Sequence, residues 1–323
     1  MLTDLDEAAL WQYRSAYTEP VDFDAFWQAT LADADAHPLD TRVVPVETNL
    51  RTVEVFDVTF AGFGGHPVRA WLRVPRQRDA PLPGIVQFHG YASGRGHAID
   101  DLLWASAGYA HLMMDARGQG GHYAGGDTGD PVGSAAAHPG YLTRGIEDPE
   151  NYYYRRVFVD AVRAVAVLRG LDLVDPTRVA AVGASQGGGI ALAVAGLVPD
   201  LAGLFTQAPF LVDVRRASLL TGAGPYPEIT EYLASKRHSV ATVFATLGYF
   251  DGIGFARRAT APAWFSTGLM DDICPPSTVF GAYHAYSGPK QIQVWTYNGH
   301  EAGGPDDLDL VLSAFRSLLL EES

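Results

Sequence analysis

The chain has 323 residues, of which 47% are hydrophobic and 19% charged, with a net charge of −14. That composition supports a sizeable buried core and excludes a disordered chain. The acidic balance argues against nucleic acid or an anionic membrane as a partner, since both require a basic surface.

The first residues, "MLTDLDEAAL", carry neither a basic n-region nor an apolar h-region, so no signal peptide is expected. No apolar run approaches the ~18–20 residues that span a bilayer. Cys274 is the only cysteine, so no intrachain disulfide can form, and a cytoplasmic location is expected.

In chain order, residues 5–16 and 22–36 have helical spacing, with Phe23, Phe26, Trp27 and Leu31 near one face. "VEVFDVTFAGFGGHPVRAWLRVP" reads as a β-hairpin, two alternating runs around "GFGG". From residue 84 short apolar runs alternate with helical stretches. Strand "GIVQFHG" precedes a helix near 98–107, and strand "YAHLMMDARGQG" precedes helix 151–169, with Val157, Ala161, Val162, Val165 and Leu168 on one face. Strand "RVAAVGA", helix 186–196 and strand "GLFTQAP" follow. After a mostly helical stretch at 211–259 come strand "PAWFSTG", helix 276–286, strand "QIQVWTYN" and helix 305–320. Such alternation predicts an α/β fold, a mainly parallel sheet covered by helices on both faces with right-handed crossovers. The 211–259 stretch is too long for a simple crossover and is expected to cap the active-site edge.

Within this pattern, Gly183-Ala184-Ser185-Gln186-Gly187 fits G-x-S-x-G, with a strand before it and a helix after it. At such an elbow the serine takes a strained backbone conformation. The residues two before and two after it must be small, because strand and helix crowd together there. An ordinary Gly/Ser-rich loop would not need that context. Ser185 is therefore the expected nucleophile.

A serine nucleophile needs a base, and the base needs an orienting acid. In this class of fold both stand on loops after later strands. Asp271 follows "PAWFSTG" in "LMDDICPP", and His300 follows "QIQVWTYN" in "GHEAGG". Spacing leaves Asp272 and Glu301 open as rival acids, and His89 and His122 as rival bases. The oxyanion of the tetrahedral intermediate needs donors, expected to be the backbone N–H groups of Gln186 and Tyr91. Cys274 precedes two prolines, has no elbow and reads as structural. No HExxH motif, CxxC pair or carboxylate cluster suggests a metal, and the glycines around Ser185 lack the Gly-Lys-Ser/Thr ending of a phosphate loop. No cofactor is expected.

Together, Arg117-Gly118-Gln119, Gly183-Ala184-Ser185-Gln186-Gly187 and His300-Glu301, in that order, resemble the RGQ, G-x-S-Q-G and HE motifs of carbohydrate esterase family 7. That family contains the acetyl xylan esterases and cephalosporin C deacetylases. The likeness extends over nearly the whole chain, through "PVDFDAFW", "DARGQGG", "YYYRRVFVDAVRAV", "YFDGIGFARRA" and "GLMDDICPPSTVFGAYH". Residues 121–140 and the segment "LLTGAGPYPEIT" follow the family less closely.

The resemblance implies a single α/β-hydrolase domain over residues 1–323, with a helical extension at 1–40 and a helical cap insertion at 211–259. It implies Ser185 as nucleophile, His300 as base and Asp271, rather than Asp272, as acid, with backbone donors at Tyr91 and Gln186. It implies an acyl pocket lined by Tyr91, Phe210, Pro225 and Ile273, restricted to small groups such as acetyl. Its substrates would be acetylated sugars, xylo-oligosaccharides or cephalosporin C, and peroxide could replace water in deacylation. It also implies a homohexamer, a trimer of dimers. Arg117 is expected to brace the elbow with its planar fork rather than to bind substrate. A broader short-chain carboxylesterase is the alternative enzyme. A non-catalytic binding protein would have lost a member of the triad, and a dienelactone-type hydrolase would carry cysteine at the elbow.

Overall fold

The apolar runs between glycines become the centre of one sheet in the computed structural model, which describes residues 2–132 and 136–320. Two helices come first, α1 (Glu7–Gln12) and α2 (Phe23–Asp35). Asp6 starts α1 by accepting the Ala9 N–H at 2.8 Å. The helix ends before residue 16 because Tyr13 turns to extended backbone and its hydroxyl donates to Asp213 at 2.6 Å. On α2, Phe23 and Trp27 are buried against Phe158 and Phe255, so this extension completes the core.

Four strands follow: β1 (Arg42–Val46), β2 (Val53–Ala61), β3 (Pro67–Pro75) and β4 (Leu82–Phe88). The pair β2–β3 is the expected hairpin. Strand β1 is an addition to the expected elements, and its "RVVPV" holds Pro45. It pairs only with β2 at the sheet edge, where a missing N–H is tolerated. The helix expected near 98–107 shrinks to α3 (Leu103–Ser106). Tertiary bonds hold the segment before it: buried Arg73 donates to the carbonyls of His97 at 2.9 Å and Ala98 at 3.1 Å.

The rest of the chain runs β5 (Ala110–Met114), α4 (Tyr153–Arg169), β6 (Val174–Ala184), α5 (Gln186–Leu197) and β7 (Gly203–Gln207). Four helices fill the long connection: α6 (Val214–Leu220), α7 (Pro227–Ser235), α8 (Val240–Gly248) and α9 (Gly252–Ala256). Then come β8 (Ala263–Gly268), α10 (Pro276–Ala285), β9 (Lys290–Trp295) and α11 (Pro305–Phe315), after which residues 316–320 wind as a π-helical turn.

Among the described residues the sheet has nine strands in the order β1-β2-β3-β5-β4-β6-β7-β8-β9. The first three pairings are antiparallel, and those from β5 through β9 are parallel. Helices α4 and α5 cover one face, while Trp104, Val311 and Phe315 pack on Ile85, Ala180, Val182 and Phe205 from the other. This is the α/β-hydrolase fold. Burial on both faces explains why β4 and β6 read as continuous apolar runs.

Helix α4 is more deeply buried than a single apolar face predicts. Arg155, Arg156, Asp160 and Arg163 on its other face are buried too. Arg163 donates to the carbonyls of Ala34 and His37, so the N-terminal segment covers the polar side of this helix. The C-terminal ends of β4, β6, β8 and β9 share one sheet edge, where an open α/β sheet places its ligand.

Candidate active site

Ser185 stands at the tip of the turn between β6 and α5, with φ +54° and ψ −122°. Few non-glycine residues take such a backbone, and it persists only where the surroundings enforce it. Here they do: the Ser185 N–H donates to the Gln207 carbonyl at 2.9 Å, and its carbonyl accepts from Gly189 at 3.0 Å and Phe210 at 2.9 Å. Gly183 leaves room for the close crossing of strand and helix, since a Cβ there would lie 2.2 Å from the carbonyl of Gly187.

Asp271 follows β8 and His300 follows β9. The two loops are pinned together where the Met270 N–H donates to the Asn298 carbonyl at 2.9 Å. Asp271 is fully buried. Its Oδ1 accepts the N–H groups of Ile273 at 2.8 Å and Cys274 at 2.9 Å. Its Oδ2 lies 2.9 Å from His300 Nδ1. An ionised carboxylate only accepts, so the proton of His300 is on Nδ1 and Nε2 is left as the acceptor. His300 is 26% exposed, which keeps that nitrogen near the surface of the site.

The rival residues have other partners. Asp272 is exposed, and its carbonyl accepts from the Thr221 hydroxyl. Glu301 folds back on its own turn, accepting from Asn298 Nδ2 at 3.0 Å and the Gly299 N–H at 3.2 Å. His89 is buried, with Nδ1 2.9 Å from the Gly90 carbonyl and Nε2 accepting the Ala116 N–H at 2.9 Å. Burial pushes its pKa down, so it stays neutral and locked. His122 is exposed and meets the Tyr123 ring edge-on. Cys274 is fully buried, and burial pushes its thiol pKa well up.

Tyr91 follows β4, and its N–H donates to no protein group among the described residues. The N–H of Gln186 opens α5, where first-turn donors have no intrahelical partner. Both side chains are drawn away from these amides. Gln119 Nε2 donates to Gln186 Oε1 at 2.9 Å, and Tyr154 Oη donates to the same oxygen at 2.9 Å. Gln119 Oε1 accepts the Ala92 N–H at 2.8 Å, which ties the Tyr91 loop to the elbow. Arg117 is fully buried and grips Asp160 of α4 through two bonds, Nε to Oδ2 at 2.7 Å and Nη2 to Oδ1 at 2.8 Å. The next residue, Gly118, has φ +69°.

Contacts link the residues expected to line the acyl pocket in two groups. The rings of Tyr91 and Phe210 are 5.9 Å apart, and those of Phe210 and Tyr226 4.7 Å. Ile273 packs against Gly224, beside Pro225. A concavity of about 960 Å³ lies elsewhere, between residues 136–148 and Tyr232 and Lys236. Among the described residues no group of three His, Cys, Asp or Glu side chains could hold a metal ion.

Sequence reasoning missed several supports of this site. Tyr153 Oη donates to the Arg117 carbonyl at 2.6 Å, and Tyr154 Oη to Gln186 Oε1. Asp307, buried on α11, accepts from Ser266 Oγ at 2.6 Å, Trp295 Nε1 at 2.9 Å and the Gly303 N–H at 2.8 Å, fixing the loop after His300. Glu228 of the four-helix connection accepts from Tyr91 Oη at 2.5 Å. Apart from the bonds of Asp307 to Gly303 and Trp295, these join residues more than 30 positions apart, and no local spacing signals them.

Comparison with known proteins places these features. The family model described as acetyl xylan esterase (AXE1) matches residues 1–313. The chain is similar to an acetyl xylan esterase from a Paenibacillus species, with 35% identity and a TM-score of 0.92 over 98% of this chain and 100% of that one. It is also similar to acetyl xylan esterase 1 from a Thermoanaerobacterium species, with 32% identity and a TM-score of 0.88 over 97% of this chain and 99% of that one. An acetyl esterase of Xylanibacter ruminicola is 29% identical over 289 residues, 88% of this chain. The chain spans 64% of the length of that curated relative.

Proposed function

The chain belongs to the acetyl xylan esterase family, and from that premise we propose that it is a serine esterase removing acetyl groups from acetylated sugars. The observation that carries the reading is the buried Asp271 holding His300 at 2.9 Å on the sheet edge where Ser185 occupies its strained turn.

In this proposal His300 Nε2 takes the Ser185 proton as Oγ attacks the ester carbonyl carbon. The N–H groups of Gln186 and Tyr91 hold the oxyanion, each donor contributing roughly 3–4 kcal/mol to the transition state. The carbon–oxygen bond to the alcohol then breaks, and His300 returns the proton to the leaving oxygen. Water, deprotonated by His300, attacks the acetyl-enzyme; the bond from the carbonyl carbon to Ser185 Oγ breaks, His300 gives its proton to Oγ, and acetate leaves. Asp271 keeps His300 in the productive tautomer and stabilises its cationic form. Peroxide in place of that water would give peracid.

Tyr91, Phe210, Pro225 and Ile273 form the acyl pocket, and the close Tyr91–Phe210 and Phe210–Tyr226 ring contacts favour a short acyl group. Residues 211–259 act as a cap of one continuous domain, and residues 1–40 as its extension. Xylo-oligosaccharide acetates and cephalosporin C are the substrate classes proposed, together with assembly as a trimer of dimers and a cytoplasmic location. No helix among the described residues is long and apolar enough to cross a membrane.

The test is steady-state hydrolysis of 4-nitrophenyl acetate, butyrate and octanoate by the wild type and Ser185→Ala. The expected result is acetate-selective turnover, with kcat reduced on the order of 10⁶-fold in the variant. Equal rates on the three esters would move the reading to a broad carboxylesterase. Undiminished turnover by Ser185→Ala would overturn the serine mechanism.

A further inference from the structure

Tyr91 is held by its hydroxyl as well as by its loop. Its Oη donates to Glu228 Oε1 at 2.5 Å and accepts the N–H groups of Tyr141 at 2.5 Å and Leu142 at 3.1 Å. Glu228 Oε2 accepts the same Leu142 N–H at 3.0 Å. The carboxyl group is buried, and Gly140 makes room for it: at φ +142°, a Cβ there would lie 2.1 Å from the Glu228 carboxyl. Three elements therefore converge on one phenol: the loop after β4, the segment 140–142 and α7 of the four-helix connection.

From this convergence we infer that Glu228 is a positioning residue for the esterase reaction, holding Tyr91 so that its backbone N–H points at the developing oxyanion. The inference rests on the esterase reading above and adds the group that aims one of its donors. The donor count shows why a carboxylate is required. One O–H and two N–H groups converge on Tyr91 Oη and Glu228, and the phenol oxygen already accepts both N–H groups. The Leu142 N–H is shared with Oε2, so both Glu228 oxygens accept, and these bonds oppose the burial that raises the carboxyl pKa. A neutral amide of the same shape would turn an NH2 group toward another donor in a buried site, where such a mismatch cannot be relieved by water. Because Glu228 belongs to α7, the proposed cap and the oxyanion loop are fastened to each other. A cap displaced from the sheet edge would release Tyr91.

The test compares Glu228→Gln, Tyr91→Phe and the double variant on 4-nitrophenyl acetate, with thermal melts to verify folding and Ser185→Ala in the same assay. Each single substitution is expected to lower kcat roughly 10- to 100-fold with KM little changed, the cost of misplacing a catalytic group by a fraction of an ångström to an ångström. The double variant is expected to be no slower than the slower single, because both changes break one linkage. Unchanged kcat in Glu228→Gln, or losses that multiply in the double variant, would overturn the inference while Ser185→Ala remained inactive. Turnover surviving in Ser185→Ala would overturn the esterase reading and the inference with it. Gly140→Ala provides a second route should Glu228→Gln fail to fold. It leaves Glu228 in place but pushes its carboxyl away, and the same loss in kcat is expected. Wild-type kcat in Gly140→Ala would count against the linkage.

Discussion

A Cβ placed on Gly187 would lie 2.0 Å from the carbonyl oxygen of Phe88, so the first turn of α5 rests directly on the end of β4. Neither backbone can retreat without moving the Tyr91 loop that follows β4. Gly187→Ala should therefore destabilise the fold by about 1–3 kcal/mol, the usual cost of overpacking a well-packed site. It should also slow turnover in whatever protein folds. Urea denaturation and 4-nitrophenyl acetate hydrolysis check both, and wild-type values for the two would contradict this account of the elbow.

The two neighbouring aspartates separate cleanly. Asp271→Asn keeps the shape of the loop but offers His300 a group that no longer fixes its tautomer. A loss in kcat on the order of 10⁴-fold is expected, as for the same change in other serine hydrolases. Asp272 is exposed and contributes its carbonyl rather than its side chain to the loop, so Asp272→Asn should stay near wild type. The reverse ranking of kcat would transfer the acid role to Asp272.

Arg117 and Asp160 form a buried two-bond pair that sets the height of the loop carrying Gln119. Arg117→Lys keeps the charge but loses the planar fork. Unfolding free energy should fall by about 2–3 kcal/mol, the worth of a hydrogen bond to a charged group. Activity should fall along with it, at nearly constant KM. A rise in KM with unchanged stability would instead make Arg117 a substrate ligand.

Acid should weaken the fold through two buried histidines. Burial, aided by the Arg73 charge, pushes His111 down to about 3. Burial lowers His89 as well. In the unfolded chain both return to about 6.5. As pH falls below that value, the unfolded chain binds protons that the folded chain refuses. The stability they confer is therefore complete above pH ~6.5 and declines on acidification, by up to about 1.4 kcal/mol per pH unit for each. Denaturation of the wild type and His111→Leu at several pH values between 7 and 4.5 checks this. The variant should lose stability less steeply, and parallel slopes would show that His111 takes up its proton while folded.

Much of this molecule is legible in its sequence because the signals are local. Strand–turn–helix grammar around Gly183-Ala184-Ser185-Gln186-Gly187 reports a steric requirement met within five residues. Runs such as those of β4 and β6 report burial on both faces. One reading failed where distant groups prevailed. The helix expected near 98–107 gave way because Arg73 takes the carbonyls of His97 and Ala98. The strand β1 carries Pro45, whose missing N–H is tolerated only because β1 lies at the sheet edge. The sequence marks one apolar face of α4, and only the N-terminal segment, which takes Arg155 and Arg163, buries the opposite side as well.

The sequence by itself determined the α/β order of the chain, the elbow serine, and the loops that carry an acid and a histidine, because these depend on neighbours in the chain. Within "LMDDICPP" it left the acid open, and only the family resemblance favoured Asp271. Tertiary structure decided which aspartate meets His300, which histidines are locked away, and how Gln119, Glu228 and Asp307 hold the site. Those outcomes depend on where the ends of β4, β6, β8 and β9 fall along one sheet edge. A contact between Glu228 and Tyr91, 137 residues apart, leaves no periodicity for a sequence to display.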